Sequence, residues 1–117
     1  MNQRAIGDYL QDILDAVNAA IEFVEGMTFA EFEGDKKTSF AATRAIQIIG
    51  EAAKKIPDSI KAQYPEIHWK GMTGMRDKVT HEYFGVNLDV LWDTIQQDLP
   101  KVKDLMPEVL VNLAEDE

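Results

Sequence analysis

Arg76, His81 and Tyr83 follow one another as Arg-x4-His-x-Tyr in a chain of 117 residues. An arginine holds phosphate oxygens in a planar fork and keeps its charge at any working pH. A histidine both takes and gives a proton near neutrality. Without a metal, the pair suits attack of a ribose 2′-hydroxyl on the adjacent phosphate. His81 would be general base or acid, and Arg76 would hold the charge that builds on pentacoordinate phosphorus. Each role is worth roughly 2–5 kcal/mol of barrier. One such helix makes a thin site. Two copies facing each other across a twofold axis would supply two histidines, one for each proton transfer, and would pool their cations.

Helical geometry groups these side chains. Counting about 100° per residue from Arg76, Tyr83 falls about 20° behind it, with Thr80 about 40°, Asp77 about 100° and His81 about 140° ahead. Met72, Met75 and Val79 share another arc, nearly opposite. Plainer readings fit the same residues. Arg76 suits a carboxylate pair, Asp77 and His81 a local pair four residues apart, Tyr83 an ordinary aromatic at a helix end, and His68 a structural residue before Trp69. On spacing alone the motif supports a helical bundle with a candidate phosphate site and no more. A metal centre is not expected: there are two histidines, neither with a second at helical spacing, and no cysteine. No glycine-rich phosphate loop, Ser-His-Asp set or CxxC is present.

The elements that must position the motif read clearly. Ile6, Leu10, Ile13, Val17, Ile21 and Val24 predict a first helix over residues 4–26, ended by Gly26. Thr28-Phe29-Ala30-Glu31 is a capping box, with Met27 and Phe32 as its hydrophobic staple, and predicts one helical turn over 29–33. Gly34 and Asp35 break that turn. A long helix follows, from Asp35 or Thr38 to Ile56. Phe40, Ala42, Ile46, Ile49, Ala53 and Ile56 are its stripe, widened by Ala41, Ala45, Ile48 and Ala52. So broad an apolar face suits a central helix between two neighbours.

Pro57 stops that helix, Asp58 is expected to cap a short turn to Gln63, and Pro65 closes the turn. The motif helix runs from Trp69 to about Tyr83, with Gly85 as its stop. Gly71 and Gly74, each costing about 1 kcal/mol in a helix interior, are expected to admit another backbone. Asn87 caps the last element, with Asp89 in its first turn and Val86 and Leu91 as staple. Its stripe is Leu88, Leu91, Ile95, Leu99, Val102, Met106, Val109 and Leu113, and Pro100 must kink or divide it near Gln96. The fold expected is all-α: one domain over 1–117, an up-and-down bundle of four main helices with short extra helical turns.

No apolar run approaches the roughly 20 residues of a membrane span, and the polar start is unlike a signal peptide, so a cytoplasmic protein is expected. The net charge of -9 opposes sequence-blind binding to nucleic acid. Residues 36–84 hold nine Lys and Arg against five Asp and Glu, a balance of +4, while the flanks hold three against sixteen, a balance of -13. The motif therefore lies in the basic third of an acidic chain.

Blocks along the chain add a resemblance. Tyr9-Leu10-Gln11-Asp12-Ile13-Leu14, Ile48-Ile49-Gly50-Glu51-Ala52-Ala53, Trp69 with Gly74-Met75-Arg76, His81-Glu82-Tyr83-Phe84, and Val90-Leu91-Trp92 with Asp98-Leu99-Pro100 together resemble the HepT-like branch of the HEPN superfamily. The resemblance implies an all-helical homodimer, a HEPN-like fold, and a metal-independent RNase toxin of a type VII toxin–antitoxin pair. It implies Arg76 and His81 as the catalytic pair, meeting their counterparts across the dimer. It further implies that a small nucleotidyltransferase antitoxin (MntA-like) silences the toxin by transferring AMP to Tyr83. Asp77 and Thr80 take supporting places on the same arc, and Arg44 matches a recurrent family arginine. Asp77 stands where this branch usually has asparagine, and His68 where proline is common. RNA is the implied substrate, with no cofactor, DNA or membrane partner. The alternative from another class is a non-catalytic helical subunit that binds a nucleotide or a nucleotidyltransferase.

Overall fold

A computed structural model describes residues 5–80 and 87–116, the side chains of 76–80, 115 and 116 excepted. Helix α1 spans Ile6–Phe23, α2 Phe29–Glu33, α3 Lys36–Lys54, α4 Asp58–Gln63, α5 Trp69–Thr80, α6 Leu88–Asp93 and α7 Leu99–Asp116. A π-helical segment, Thr94–Asp98, joins α6 to α7. No strand occurs among the described residues. The four long elements are α1, α3, α5 and the α6–α7 rod, as the periodicity predicts.

Their directions follow from a few close approaches. A Cβ added at Gly7 would meet Leu113, so the start of α1 lies by the end of α7. Asn112 Nδ2 donates to the Tyr64 hydroxyl at 3.0 Å, which brings the end of α4 to the same end of the bundle. Tyr9 and Asp12 share a cavity with Ile48, Glu51 and Lys55, so α3 also ends there. α5 starts from that end and runs back along α3. Each main helix is thus antiparallel to its neighbour in sequence, and α3 packs on both α1 and α5.

Local chemistry sets the boundaries. The Thr28 side chain accepts from the Glu31 N–H and Glu31 returns the bond to the Thr28 N–H, closing the expected capping box over α2. Asp35 accepts from the Thr38 N–H at 3.1 Å and starts α3; that hydrogen bond holds its carboxyl below the usual carboxylate range. Asn87 accepts from the Val90 N–H at 3.1 Å and starts α6. α1 stops at Phe23, short of the expected 26, and Gly26 supplies the left-handed φ of 79° that turns the chain. Asp58 is not a cap. Pro57 holds the cap position and its carbonyl accepts from the Ile60 and Lys61 N–H groups, while Asp58 is the first helical residue, where its charge suits the helix dipole.

The core runs the length of the bundle. Leu10, Ile13 and Val17 meet Ile46, Ile49 and Ala53, and the α6–α7 stripe from Leu91 through Val109 closes over them. Small α2 plugs one side: Phe32 is fully buried, and Phe29 and Phe32 put their rings 5.9 and 5.2 Å from that of Trp92. Pro100 has no N–H to offer Gln96. The ladder shifts there to π spacing, with the Leu99 N–H donating to the Thr94 carbonyl five residues back. The rod therefore stays continuous; at 1.5 Å per residue its 88–116 span of about 43 Å accounts for the 45 Å long axis. Pro107, inside α7, is a second such gap that periodicity does not flag.

Phe40 overturns its assignment to the α3 stripe: it is 71% exposed. The reason is angular. Phe40 and Ala42 are two residues apart, a turn of about 200°, so they cannot share a helix face. Phe32→Ala should therefore lower stability by about 3–5 kcal/mol, while Phe40→Ser should change it by less than about 0.5 kcal/mol, as read from denaturant midpoints.

Candidate active site

α5 is held by its apolar side. Trp69 is buried and its Nε1–H donates to the Tyr64 carbonyl at 3.1 Å, pinning the helix start to the end of α4. Met72 and Met75 are buried in the core, as the arc opposite the motif requires. The Met72 N–H donates to the His68 carbonyl, so His68 lends its backbone to the first turn while its side chain stays exposed. Rotation of α5 about its axis is thereby fixed before the motif begins.

The backbone of Arg76, Asp77 and Thr80 continues α5 to its last turn. Their side chains, with that of Val79, lie outside the described residues, as do all of His81, Tyr83, Gly85 and Val86. The structure thus places Arg76, Asp77 and Thr80 on one helix, at the end of the bundle where α3 begins. The chain is next described at Asn87, whose cap fixes the far side of the connection.

Among the described residues no other backbone approaches the Cβ positions of Gly71 and Gly74. A Cβ at Gly74 would meet nothing within 4 Å, and one at Gly71 only the His68 Cβ at 3.3 Å. Beside Gly71 a cavity of about 470 Å³ opens between α5 and the α6–α7 rod. Met72, Met75, Val90 and Leu105 give it an apolar wall, and Asp93, Asp98 and Lys101 are charged groups along it. It borders the π-helical segment.

Arg44 is exposed on α3 and lines a second, open cavity of about 440 Å³ with Tyr9, Asp12, Ile48, Glu51 and Lys55. Two of the sequence blocks that carry the resemblance therefore meet in space. Spacing could not reveal this, because Asp12 and Glu51 lie on different helices and share no local period. Among the described residues no group of three or more His, Asp or Glu stands close enough to hold a metal ion, and no helix is long and apolar enough to cross a membrane.

The profile of the family described as "Ribonuclease HepT-like" matches residues 13–109. The chain is 48% identical over 101 residues to a Thermococcus cleftensis protein named "Probable ribonuclease HepT", covering 86% of this chain and 92% of that one. Two further relatives bear RNase names. One, from Methanocaldococcus jannaschii, is 38% identical over 100% of this chain and 98% of its own. The other, from Caldanaerobacter subterraneus, is 39% identical over 87% of this chain and 91% of its own. No solved structure matches.

The space beside Gly74 yields a test. Within one chain nothing lies within 4 Å of its Cβ position, so in a molecule with no second chain against α5 Gly74→Ala should raise Tm by about 2–5 °C through the helix propensity gained. A fall in Tm, with dissociation in sedimentation, would mean that another chain already fills that space.

Proposed function

The chain belongs to the HepT-like ribonuclease family, and from that premise we propose that it is an endoribonuclease whose working pair is Arg76 and His81. The observation that carries this reading is the span of the family match: residues 13–109 run through the whole Arg76-x4-His81-x-Tyr83 motif. The ribose 2′-oxygen attacks the neighbouring phosphorus and the 5′-oxygen leaves. One imidazole takes the 2′-hydroxyl proton, another protonates the leaving oxygen, and arginine holds the charge on the phosphoryl oxygens. The product end is a 2′,3′-cyclic phosphate. No metal is needed, because proton transfer and charge stabilisation are both assigned to side chains.

Two imidazoles acting in one step call for two copies of the chain. The open room beside Gly74, where an added Cβ would meet nothing within 4 Å, supports α5 as the element that meets its copy. A homodimer would pool the cations of the basic third into one cleft while the acidic flanks stay outside. Arg44, Asp77 and Thr80 take supporting places around it.

Activity of this kind is toxic to its own cell, and the reading extends to a toxin paired with a nucleotidyltransferase antitoxin. The Tyr83 phenol oxygen attacks the α-phosphorus of ATP, and pyrophosphate leaves. If the helical spacing of the sequence continued to Tyr83 it would fall about 20° from Arg76, and the adduct would set a fixed anion where the substrate phosphate is bound.

His81→Ala should lower RNA cleavage by about 10²- to 10⁴-fold with little change in Tm. Cleavage by the wild type should persist in EDTA and leave 2′,3′-cyclic ends. A wild type inert on RNA would favour the non-catalytic subunit, and loss of cleavage in EDTA would overturn the mechanism. Incubation with the cognate nucleotidyltransferase, ATP and Mg²⁺ should add AMP mass to the Tyr83 peptide and stop cleavage; Tyr83→Phe should take no adduct.

A further inference from the structure

The outer face of α3 is unlike the rest of this acidic protein. From Lys36 to Gly50 there is no Asp or Glu, although 21 of 117 residues are acidic and a run of that length would on average hold about three. Lys36, Lys37 and Arg44 are exposed, and between them Phe40 is 71% exposed. Set Lys36 at zero. Phe40, Arg44 and Lys37 then lie at about 40°, 80° and 100°, while buried Ile46, Ile49 and Ala53 centre near 250°. The phenylalanine is thus aimed away from the core, about 150° from its centre, with cations about 6 Å before and after it along the helix.

An exposed Phe alone is ordinary. An aromatic ring bracketed by cations, on a helical stretch without carboxylates of its own, is the arrangement that holds single-stranded nucleic acid: the ring takes the flat side of a base and the cations take phosphates. Its place in the fold fits. α1 and α5 both run antiparallel to α3, so the first half of α3 shares an end of the bundle with the last turn of α5, where Arg76 sits. Past Arg44 the character changes, because Asp12 and Glu51 line the second cavity together with Lys55.

We propose that the first half of α3, with Phe40 between Lys36, Lys37 and Arg44, is a track for single-stranded RNA leading to the cleavage site. This rests on the ribonuclease reading for what happens to the RNA, but its binding test stands apart from it. A second copy is a poorer occupant. A symmetric contact centred on Phe40 would bring Lys36, Lys37 and Arg44 of both copies together, and like charges oppose such a contact.

The test uses the full chain and a 2′-O-methyl RNA 12-mer, which has no attacking hydroxyl and stays uncut. Binding is read by fluorescence anisotropy across a salt series. Phe40→Ala should bind about tenfold more weakly, and Phe40→Trp should bind at least as well as the wild type. Lys36→Ala/Lys37→Ala/Arg44→Ala should lower the slope of log K against log salt by about 2, at about 0.7 for each phosphate left without its cation. Equal affinity of wild type and Phe40→Ala, or no affinity in the wild type, overturns the track. So does a change of sedimentation in Phe40→Ala, which would make the face a protein contact. Cleavage of unmodified RNA by the wild type is followed separately. Activity with no effect at Phe40 removes the track and keeps the nuclease; binding abolished in Phe40→Ala without any wild-type cleavage does the reverse.

Discussion

Burial of Trp69, Met72 and Met75 against α3 is the constraint on which the site depends. A helix presents chemistry at a fixed angle only if something stops it turning. Here the anchor is a tryptophan that is both buried and hydrogen-bonded, followed by two methionines on the same side. Arg76 follows Met75 directly, so its register position is one step, about 100°, round the helix from a buried residue. Two glycines in so short a helix weaken it by about 2 kcal/mol relative to alanine. α5 therefore holds its shape through its contacts more than through its own propensity.

α3 is the second half of that constraint. Its inner face is made of Ala42, Ala45, Ile46, Ile49, Ala52 and Ala53, all buried, and the small residues let α1 and α5 lie close on either side. Its outer face is left free of packing duties, which is why a Phe and several cations can stand there. The same helix thus orders the motif helix from within and presents charge outward. On this view the remaining elements are supports. α2 braces Trp92 with two rings, and the π-helical segment keeps the α6–α7 stripe facing the core across Pro100.

Much of this was legible in the chain. Capping signals at Thr28, Asp35 and Asn87 name their own hydrogen bonds, because the donor lies three residues away in sequence. The stripe from Leu88 to Leu113 reads correctly for a similar reason: period alone decides which side is buried. Reading failed where two local rules compete. Asp58 has the side chain of a cap, but Pro57 already holds the extended backbone a cap needs. Phe40 has the hydropathy of a core residue and the wrong angle for one. Gly71 and Gly74 look like glycines of a close helix crossing, yet among the described residues only the His68 Cβ, beside Gly71, comes within 4 Å of their Cβ positions. The meeting of Tyr9, Asp12, Arg44 and Glu51 was beyond any local signal, since it depends on how α1 lies across α3.

A net charge of -9 does not contradict the proposed binding of a polyanion once distances are considered. At physiological ionic strength the Debye length is about 8 Å, close to the spacing of two packed helices. A phosphate near the first half of α3 therefore senses the charges of that face and its immediate neighbours strongly, and those on the far side of a body 25–45 Å across hardly at all. Asp35 is the carboxylate nearest in sequence, and it is engaged with the Thr38 N–H at the helix start. The acidic flanks act over their own surfaces, where they discourage nucleic acid from settling anywhere but on the basic third. Net charge and local charge thus serve different ends on the proposed reading: one limits where RNA can settle, the other would hold it there.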